Sequence, residues 1–274
     1  MQHLKLSCAK GASITCYLLN DRPSRNPDRS PRPGILLVPG GGYHCVVDHE
    51  QECIAVRFLG MGYHVFILDY TVNEDGTNPI HSLALEQLAE AMALIRNHAG
   101  DWHLDPHRLT MAGFSAGGHL AGCLAVHWHR DWLHRQTGLS PEIIRPDAVI
   151  LAYPVTTTGT FAHKGSIDHL LGSDASAEEL HLYSLEEQVT EQVPPVFIWH
   201  TQEDEFVPVE GTLLFAQACI RAKVSTELHI FPKNRHGLSL ASKETAWEDA
   251  SSVDPHIANW FPLCAEWLDL ILNN

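Results

Sequence analysis

Basic residues are scarce: 18 Lys and Arg stand against 33 Asp and Glu, a net charge of −15 with the 19 histidines neutral. A chain of that sign repels polyanions, which argues against nucleic acid or an acidic membrane surface as a partner. Imidazole titrates near ~6.5, so mild acid shrinks this charge. Long apolar runs are missing too, none reaching the roughly 18 residues of a membrane span. Met1–Lys10 shows no basic stretch followed by an apolar run, and the expectation is a cytoplasmic protein. No CxxC pair occurs. The seven cysteines, at 8, 16, 45, 53, 123, 219 and 264, are odd in number and irregularly spaced, the pattern of free, mostly buried thiols. Internal repeats and low-complexity tracts are absent as well.

What is present is an ordinary globular composition. Apolar residues make up 45% and charged residues 19% of 274, enough to bury a sizeable core. Apolar or β-branched runs at Ser13–Leu19, Gly34–Val38, His64–Tyr70, Leu109–Ala112, Ala148–Tyr153, Val196–His200 and Thr226–Phe231 read as strands. Helical candidates lie between and after them, at Glu50–Met61, Ser82–His98, Ala116–Arg130, Val209–Ala222 and His256–Leu272. This alternation predicts an α/β domain over residues 1–274, with a mostly parallel sheet and helices on both faces. Asp21–Pro33, crowded with Pro, Arg, Asn and Ser, reads as a surface loop joining an outer hairpin to the central strand. Thr156–Pro195 is too long for a plain loop and carries a polar, helix-like stretch at Ala175–Gln188. It is expected to be an insertion over the active site that acts as a lid and slows bulky polymeric substrates relative to oligomers.

Gly113-Phe114-Ser115-Ala116-Gly117 follows a strand and opens a helix of small residues. A nucleophile on such an elbow sits in a strained backbone, and its neighbours must be small because strand and helix pass closely. The alternative for a bare GxSxG is a structural glycine-rich turn. Pro39-Gly40-Gly41-Gly42-Tyr43 follows the central strand, and its bare backbone can approach a substrate closely. A flexible turn or a phosphate loop would also use glycines, but the Gly-Lys-Ser/Thr of a Walker loop is absent and GxGxxG does not fit. The N–H groups of Gly41, Gly42 and Ala116 are therefore candidate oxyanion donors, the last aided by the helix N-terminus.

A serine hydroxyl needs a histidine to take its proton and a carboxylate to orient that histidine. Both belong in loops after later strands, at the same sheet edge. Glu203-Asp204-Glu205 follows one such strand. Asp204 is favoured because Val207-Pro208 fixes the entry to the next helix, while Glu203 and Glu205 are expected to face solvent. After the last strand only His236 has the required placement, and His229 should pack within the strand. His127 and His129, near His119 and His134, point about 200° apart on a helix and cannot share one ion. No metal and no cofactor is expected.

The order Ser115, Asp204, His236 behind the Gly40–Gly42 loop resembles the α/β-hydrolase fold over nearly the whole chain. Pro39-Gly40-Gly41-Gly42-Tyr43, Gly113-Phe114-Ser115-Ala116-Gly117-Gly118-His119-Leu120, Trp199-His200-Thr201 with Asp204 and Val207-Pro208, and His236-Gly237-Leu238-Ser239-Leu240-Ala241 narrow it. In that order and spacing they resemble the acetyl esterase and acetylxylan esterase-like group, neighbours of the hormone-sensitive-lipase-like esterases. Pro39 departs from the broader group, which has histidine there, so that group's oxyanion geometry is not carried over. The resemblance implies hydrolysis of small acyl esters, often acetyl on a sugar, with acetylated oligosaccharide as the expected substrate class. A peptidase or other amide hydrolase on the same fold, or a non-catalytic ligand-binding homologue, are the alternatives, and self-association is left open.

Overall fold

The computed structural model describes residues 1–20, 30–246 and 250–272. Its strands in chain order are β1 (Gln2–Ser7), β2 (Ser13–Leu18), β3 (Arg32–Val38), β4 (His64–Asp69), β5 (Leu104–Phe114), β6 (Ala148–Ala152), β7 (Val196–Thr201) and β8 (Thr226–Phe231). They form one eight-stranded sheet in the order β1-β2-β4-β3-β5-β6-β7-β8. Only β1 with β2 and β2 with β4 pair antiparallel; every other neighbour is parallel.

The inner strands are buried on both faces, which is why they read as continuous apolar runs. Along β3, Leu36 and Val38 pack into the core under the helices Leu83–Asn97, Ala116–His127 and Val209–Arg221. Ile35 and Leu37 face the opposite core, closed by Glu52–Gly60 and Trp260–Leu272. The mostly parallel sheet covered on both sides is thus the α/β architecture expected from the alternation of runs.

Several boundaries differ for identifiable reasons. β1 lies outside the expected strands: it is a largely exposed edge strand whose apolar face is only Leu4 and Leu6, with Leu6 packed on the core, and it is seated by backbone pairing from Gln2↔Leu18 to Ser7↔Ser13. β5 is longer than Leu109–Ala112 because Leu104 pairs with Arg32 before an irregularity in register lets Asp105-Pro106 pass. Residues 21–29 of the expected loop Asp21–Pro33 lie outside the described residues, and Arg32 and Pro33 open β3 instead. The helix expected from Glu50 begins at Glu52, since Asp48–Glu50 is a 3₁₀ turn that points the Glu50 side chain inward.

The Thr156–Pro195 segment holds three short helices. Lys164–Leu171 lies outside the expected helices, and the expected stretch at Ala175–Gln188 is two helices, Ala177–Tyr183 and Leu185–Gln188, broken at Ser184. Ser176 and Glu179 form a capping box that starts the second. Ser184 leaves the helical path because its hydroxyl accepts the Thr158 N–H at 3.1 Å. Leu185 is fully buried against the elbow helix, where a Cβ added at Gly122 would lie 2.4 Å from it.

The chain leaves β3 for β4 on one side and reaches β5 on the other, so a topological switch point falls between β3 and β5. Ligands of open α/β sheets bind beyond the carboxyl ends of the strands at such a point. The glycine loop ends β3 there and the serine elbow ends β5.

Candidate active site

Ser115 is the turn itself, with φ 53° and ψ −120°, outside the regions that L-residues favour. Its neighbours enforce this. A Cβ on Gly113 would sit 2.4 Å from the Gly117 carbonyl oxygen, and one on Gly117 would sit 2.1 Å from that of Val38. Glycine at these positions lets strand, loop and helix interpenetrate, which presses the elbow against the Pro39–Tyr43 loop. The helix Ala116–His127 that follows is buried along its whole length, so its small residues serve close packing rather than one amphipathic face.

Ser115 Oγ lies 2.7 Å from His236 Nε2, and His236 Nδ1 lies 2.6 Å from Asp204 Oδ2. Because an ionised carboxylate only accepts, Nδ1 carries the imidazole proton and Nε2 is left to accept from the serine hydroxyl. Asp204 is held on every side: Oδ1 accepts the N–H groups of Phe206 and Val207 at 2.9 and 2.8 Å, and Oδ2 also accepts from His200 Nε2 at 3.1 Å. Burial pushes its carboxyl pKa up, but the hydrogen bonds from His200 and His236 outweigh it and hold the group well below the usual carboxylate range. Glu203 and Glu205 are exposed. Pro208 stands at the N-cap of Val209–Arg221, fixing the helix entry beside this carboxylate.

The glycine loop folds back over the elbow. Gly41 and Gly42 have φ of 125° and 64°, and a Cβ on Gly41 would lie 2.1 Å from the Cys45 carbonyl oxygen. The Gly41 carbonyl accepts from His44 and Cys45 N–H. The N–H groups of Gly41 and Gly42 form no hydrogen bond among the described residues, and that of Ala116 is an orphan donor at the first helical position. These three groups and Ser115 therefore belong to one corner of the fold.

Residues not anticipated from the sequence brace that corner. Glu50 is 1% exposed and its Oε2 accepts the Gly40 N–H at 2.6 Å. Tyr43 donates to His119 Nδ1 at 2.8 Å, and His119 Nε2 donates to the Tyr183 carbonyl at 2.9 Å, tying loop, elbow helix and insertion together. Burial lowers the His119 pKa to about 4, so it works as a neutral bridge. His200 donates through Nε2 to Asp204 while Thr212 Oγ1 lies 2.8 Å from its Nδ1. From the insertion, Ser166 Oγ comes within 3.7 Å of where a Gly42 Cβ would stand, and His163 Nδ1 holds that hydroxyl at 2.8 Å. Burial, then the charge of His236, lowers the His163 pKa.

The remaining candidates fall outside the site. His229 sits half-buried on β8, bonded to Glu227 at 2.9 Å and tilted on Phe197. His127 Nε2 binds the Leu182 carbonyl at 3.0 Å, and burial lowers its pKa to about 4. Tyr70, at the end of the run expected as a strand, is a buried tyrosine that donates to the Pro39 carbonyl at the start of the glycine loop. All seven cysteines are free thiols, four of them buried. Among the described residues no group of three or more His, Cys, Asp or Glu side chains is placed to hold a metal ion, and no helix is long and apolar enough to cross a membrane.

Residues 23–219 match the family model described as BD-FAE, a span that includes the glycine loop, the elbow and Asp204 and stops before His236. An endo-1,4-beta-xylanase B of Butyrivibrio fibrisolvens is 40% identical over 85% of this chain and 35% of its own length. An acetylxylan esterase of Xylanibacter ruminicola is 26% identical over 87% of this chain and 46% of its own length. The chain thus spans between a third and a half of these curated relatives. Among solved structures, an acetyl ester-xyloside bifunctional hydrolase of Caldicellulosiruptor lactoaceticus superposes with a TM-score of 0.80 at 33% identity, covering 96% of this chain and 89% of the other. A carboxylesterase of Lactobacillus plantarum superposes with a TM-score of 0.86 at 29% identity, covering 98% and 96%.

Proposed function

Since this chain belongs to the BD-FAE family, within the α/β-hydrolase fold, we propose that it is a serine carboxylic-ester hydrolase removing short acyl groups, acetyl above all, from small carbohydrates. The observation that carries the reading is the unbroken line from Ser115 Oγ through His236 to Asp204, at 2.7 and 2.6 Å, beside donor N–H groups at a helix N-terminus.

Ser115 Oγ attacks the ester carbonyl carbon as its proton passes to His236 Nε2. The N–H groups of Gly41, Gly42 and Ala116 hold the oxyanion, each such donor being worth on the order of 10² to 10³ in rate. Asp204 stays ionised and stabilises the imidazolium. The carbon–oxygen bond to the alcohol then breaks while His236 returns the proton to the departing oxygen, leaving an acyl enzyme. Water, deprotonated by His236, attacks that ester, and collapse of the second tetrahedral adduct releases the acid and Ser115. The names of two matched proteins, an acetylxylan esterase and an acetyl ester-xyloside hydrolase, support acetyl as the acyl group and a xylose-based alcohol. The whole described chain serves this site as one α/β-hydrolase domain, and the 156–195 segment is a cap whose His163–Ser166 corner borders the oxyanion loop.

The departing oxygen must reach His236 Nε2, so the alcohol lies against whatever flanks that ring. Phe206 does: it is 60% exposed and its ring centre is 6.3 Å from that of His236. An apolar ring face left in water beside the leaving group suits the C–H face of a pyranose. Phe206→Ala is expected to raise KM for acetylated xylo-oligosaccharides roughly three- to tenfold, the scale of one aromatic contact. Phe206→Trp restores it, and ethyl acetate, with no ring to stack, is unaffected. Equal losses on both esters would remove the sugar-stacking role. The acyl limit is read from p-nitrophenyl acetate, butyrate and octanoate, where rates should fall steeply with length; preference for octanoate would overturn the short-acyl reading.

A further inference from the structure

Glu50 spends both carboxylate oxygens on neutral donors inside the protein. Oε2 takes the Gly40 N–H at 2.6 Å and Oε1 takes the Tyr153 hydroxyl at 2.7 Å. Tyr153 follows β6 with φ 38°, is buried, and its phenol oxygen in turn accepts the N–H of Ser239 at 3.0 Å. Ser239 lies three residues beyond His236 and is pinned twice more, its hydroxyl donating to the His49 carbonyl at 2.6 Å and its carbonyl accepting from Trp260 Nε1 at 2.9 Å. The Tyr153 ring stands edge-on to His236, with centres 5.1 Å apart. Burial, then the Glu50 charge, raises the Tyr153 pKa well above its ordinary value, which keeps the phenol protonated as a donor.

Burying a carboxylate is unfavourable unless its partners compensate. The basic group beside this one, His49 Nε2, is 3.8 Å from Oε1. For packing alone a neutral side chain of the same shape would be cheaper. Three consecutive glycines are the least restrained backbone a protein can build, yet an oxyanion hole works only if its donors are aimed beforehand. The Gly40 N–H held by Glu50 anchors the first peptide plane of the loop, and the next two planes, which carry the Gly41 and Gly42 N–H groups, are held on that anchor by Val47 N–H on the Gly40 carbonyl at 3.2 Å and by His44 and Cys45 N–H on the Gly41 carbonyl. The same carboxylate, through Tyr153, holds the loop that carries the general base.

We infer that Glu50 is a positioning residue that, with Tyr153 as strut, sets the oxyanion donors of the Gly40–Gly42 loop and the His236 loop in one fixed relation. This rests on the serine esterase reading above. Glu50→Gln keeps the shape but offers one acceptor oxygen where two are needed, and Tyr153→Phe keeps the ring but cuts the strut.

The test measures the rate at which a fluorophosphonate modifies Ser115, and kcat for p-nitrophenyl acetate per phosphonate-titrated site, in both variants and the double variant. Each single variant is expected to lose about 10- to 100-fold in both quantities, a fraction of an oxyanion donor's worth, with KM within about twofold of the native enzyme. Because the two residues act as one unit, the double variant should lose little more than the worse single one. A merely structural role would lower the melting temperature or the titrated fraction and leave the rate per site alone, and that result would overturn the inference. Multiplicative losses in the double variant would also overturn it. Should Glu50→Gln not fold, Tyr153→Phe decides by the same rates. A native protein that the reagent does not modify would remove the serine esterase reading and the strut together, whereas native and variant proteins modified at equal rates would remove the strut alone.

Discussion

Ser115→Ala is expected to lower kcat for p-nitrophenyl acetate by about four to six orders of magnitude, the range for loss of a triad nucleophile, and to leave the protein folded. The loss follows from the geometry: Ser115 Oγ is the atom facing His236 Nε2 at 2.7 Å, and an alanine has nothing there to attack a carbonyl or give up a proton. The fold survives because alanine keeps the Cβ that the elbow already accommodates at φ 53°. The hydroxyl's hydrogen bond is to His236 and contributes about 1 kcal/mol. The melting temperature should therefore move by a few degrees only. Residual activity of the oxyanion corner over water remains after the nucleophile is gone. A variant retaining more than a tenth of native kcat would place the nucleophile elsewhere.

Asp204→Asn is expected to give the second large loss, about 10⁴ in kcat, the size found when a triad aspartate is made an amide. Asp204 Oδ2 receives the protons of both His236 and His200, and Oδ1 those of two backbone N–H groups. An amide supplies one accepting oxygen. If that oxygen keeps Phe206 and Val207, the NH₂ group faces His236, drives its proton to Nε2 and leaves no acceptor for the serine hydroxyl. Glu203→Gln and Glu205→Gln, both on exposed carboxylates, should leave kcat unchanged, an outcome that would separate the three adjacent acids. The stability effect has a definite sign. A carboxylate whose folded pKa is depressed contributes stability above its unfolded value of about 4, and that contribution is lost as pH falls toward the folded value. The native protein should thus outlast Asp204→Asn in denaturant at pH 7, with the gap closing below pH about 4. A gap that stays constant down to acid would contradict the depressed pKa.

The parts of this protein that are legible in its sequence are those whose cause is local. Gly113, Gly117 and the alanines beside Ser115 announce an elbow because close passage of strand and helix forbids side chains there. Ile35–Val38 announces a central strand because both of its faces are buried. Asp204 and His236 are found by asking which loops reach the serine's edge of a parallel sheet. What is hidden is set by distant partners. Glu50 reads as the first residue of an amphipathic helix, and its burial depends on Gly40, 10 residues away, and Tyr153, 103 away. His200 reads as strand, since nothing near it shows that its ring meets Asp204. The split of the insertion at Ser184 follows from a contact with Thr158, not from a proline or glycine at the break. β1 is hidden because its apolar alternation is two leucines long and its seating comes from backbone pairing with β2.

The proposed mechanism stands on Ser115 being an activated nucleophile. Incubation with a fluorophosphonate at neutral pH, followed by intact-mass measurement and peptide mapping, tests it without presuming any ester. A single adduct on Ser115 is expected, formed far faster in the native protein than in Asp204→Asn. No adduct, or an adduct on another residue, would contradict it.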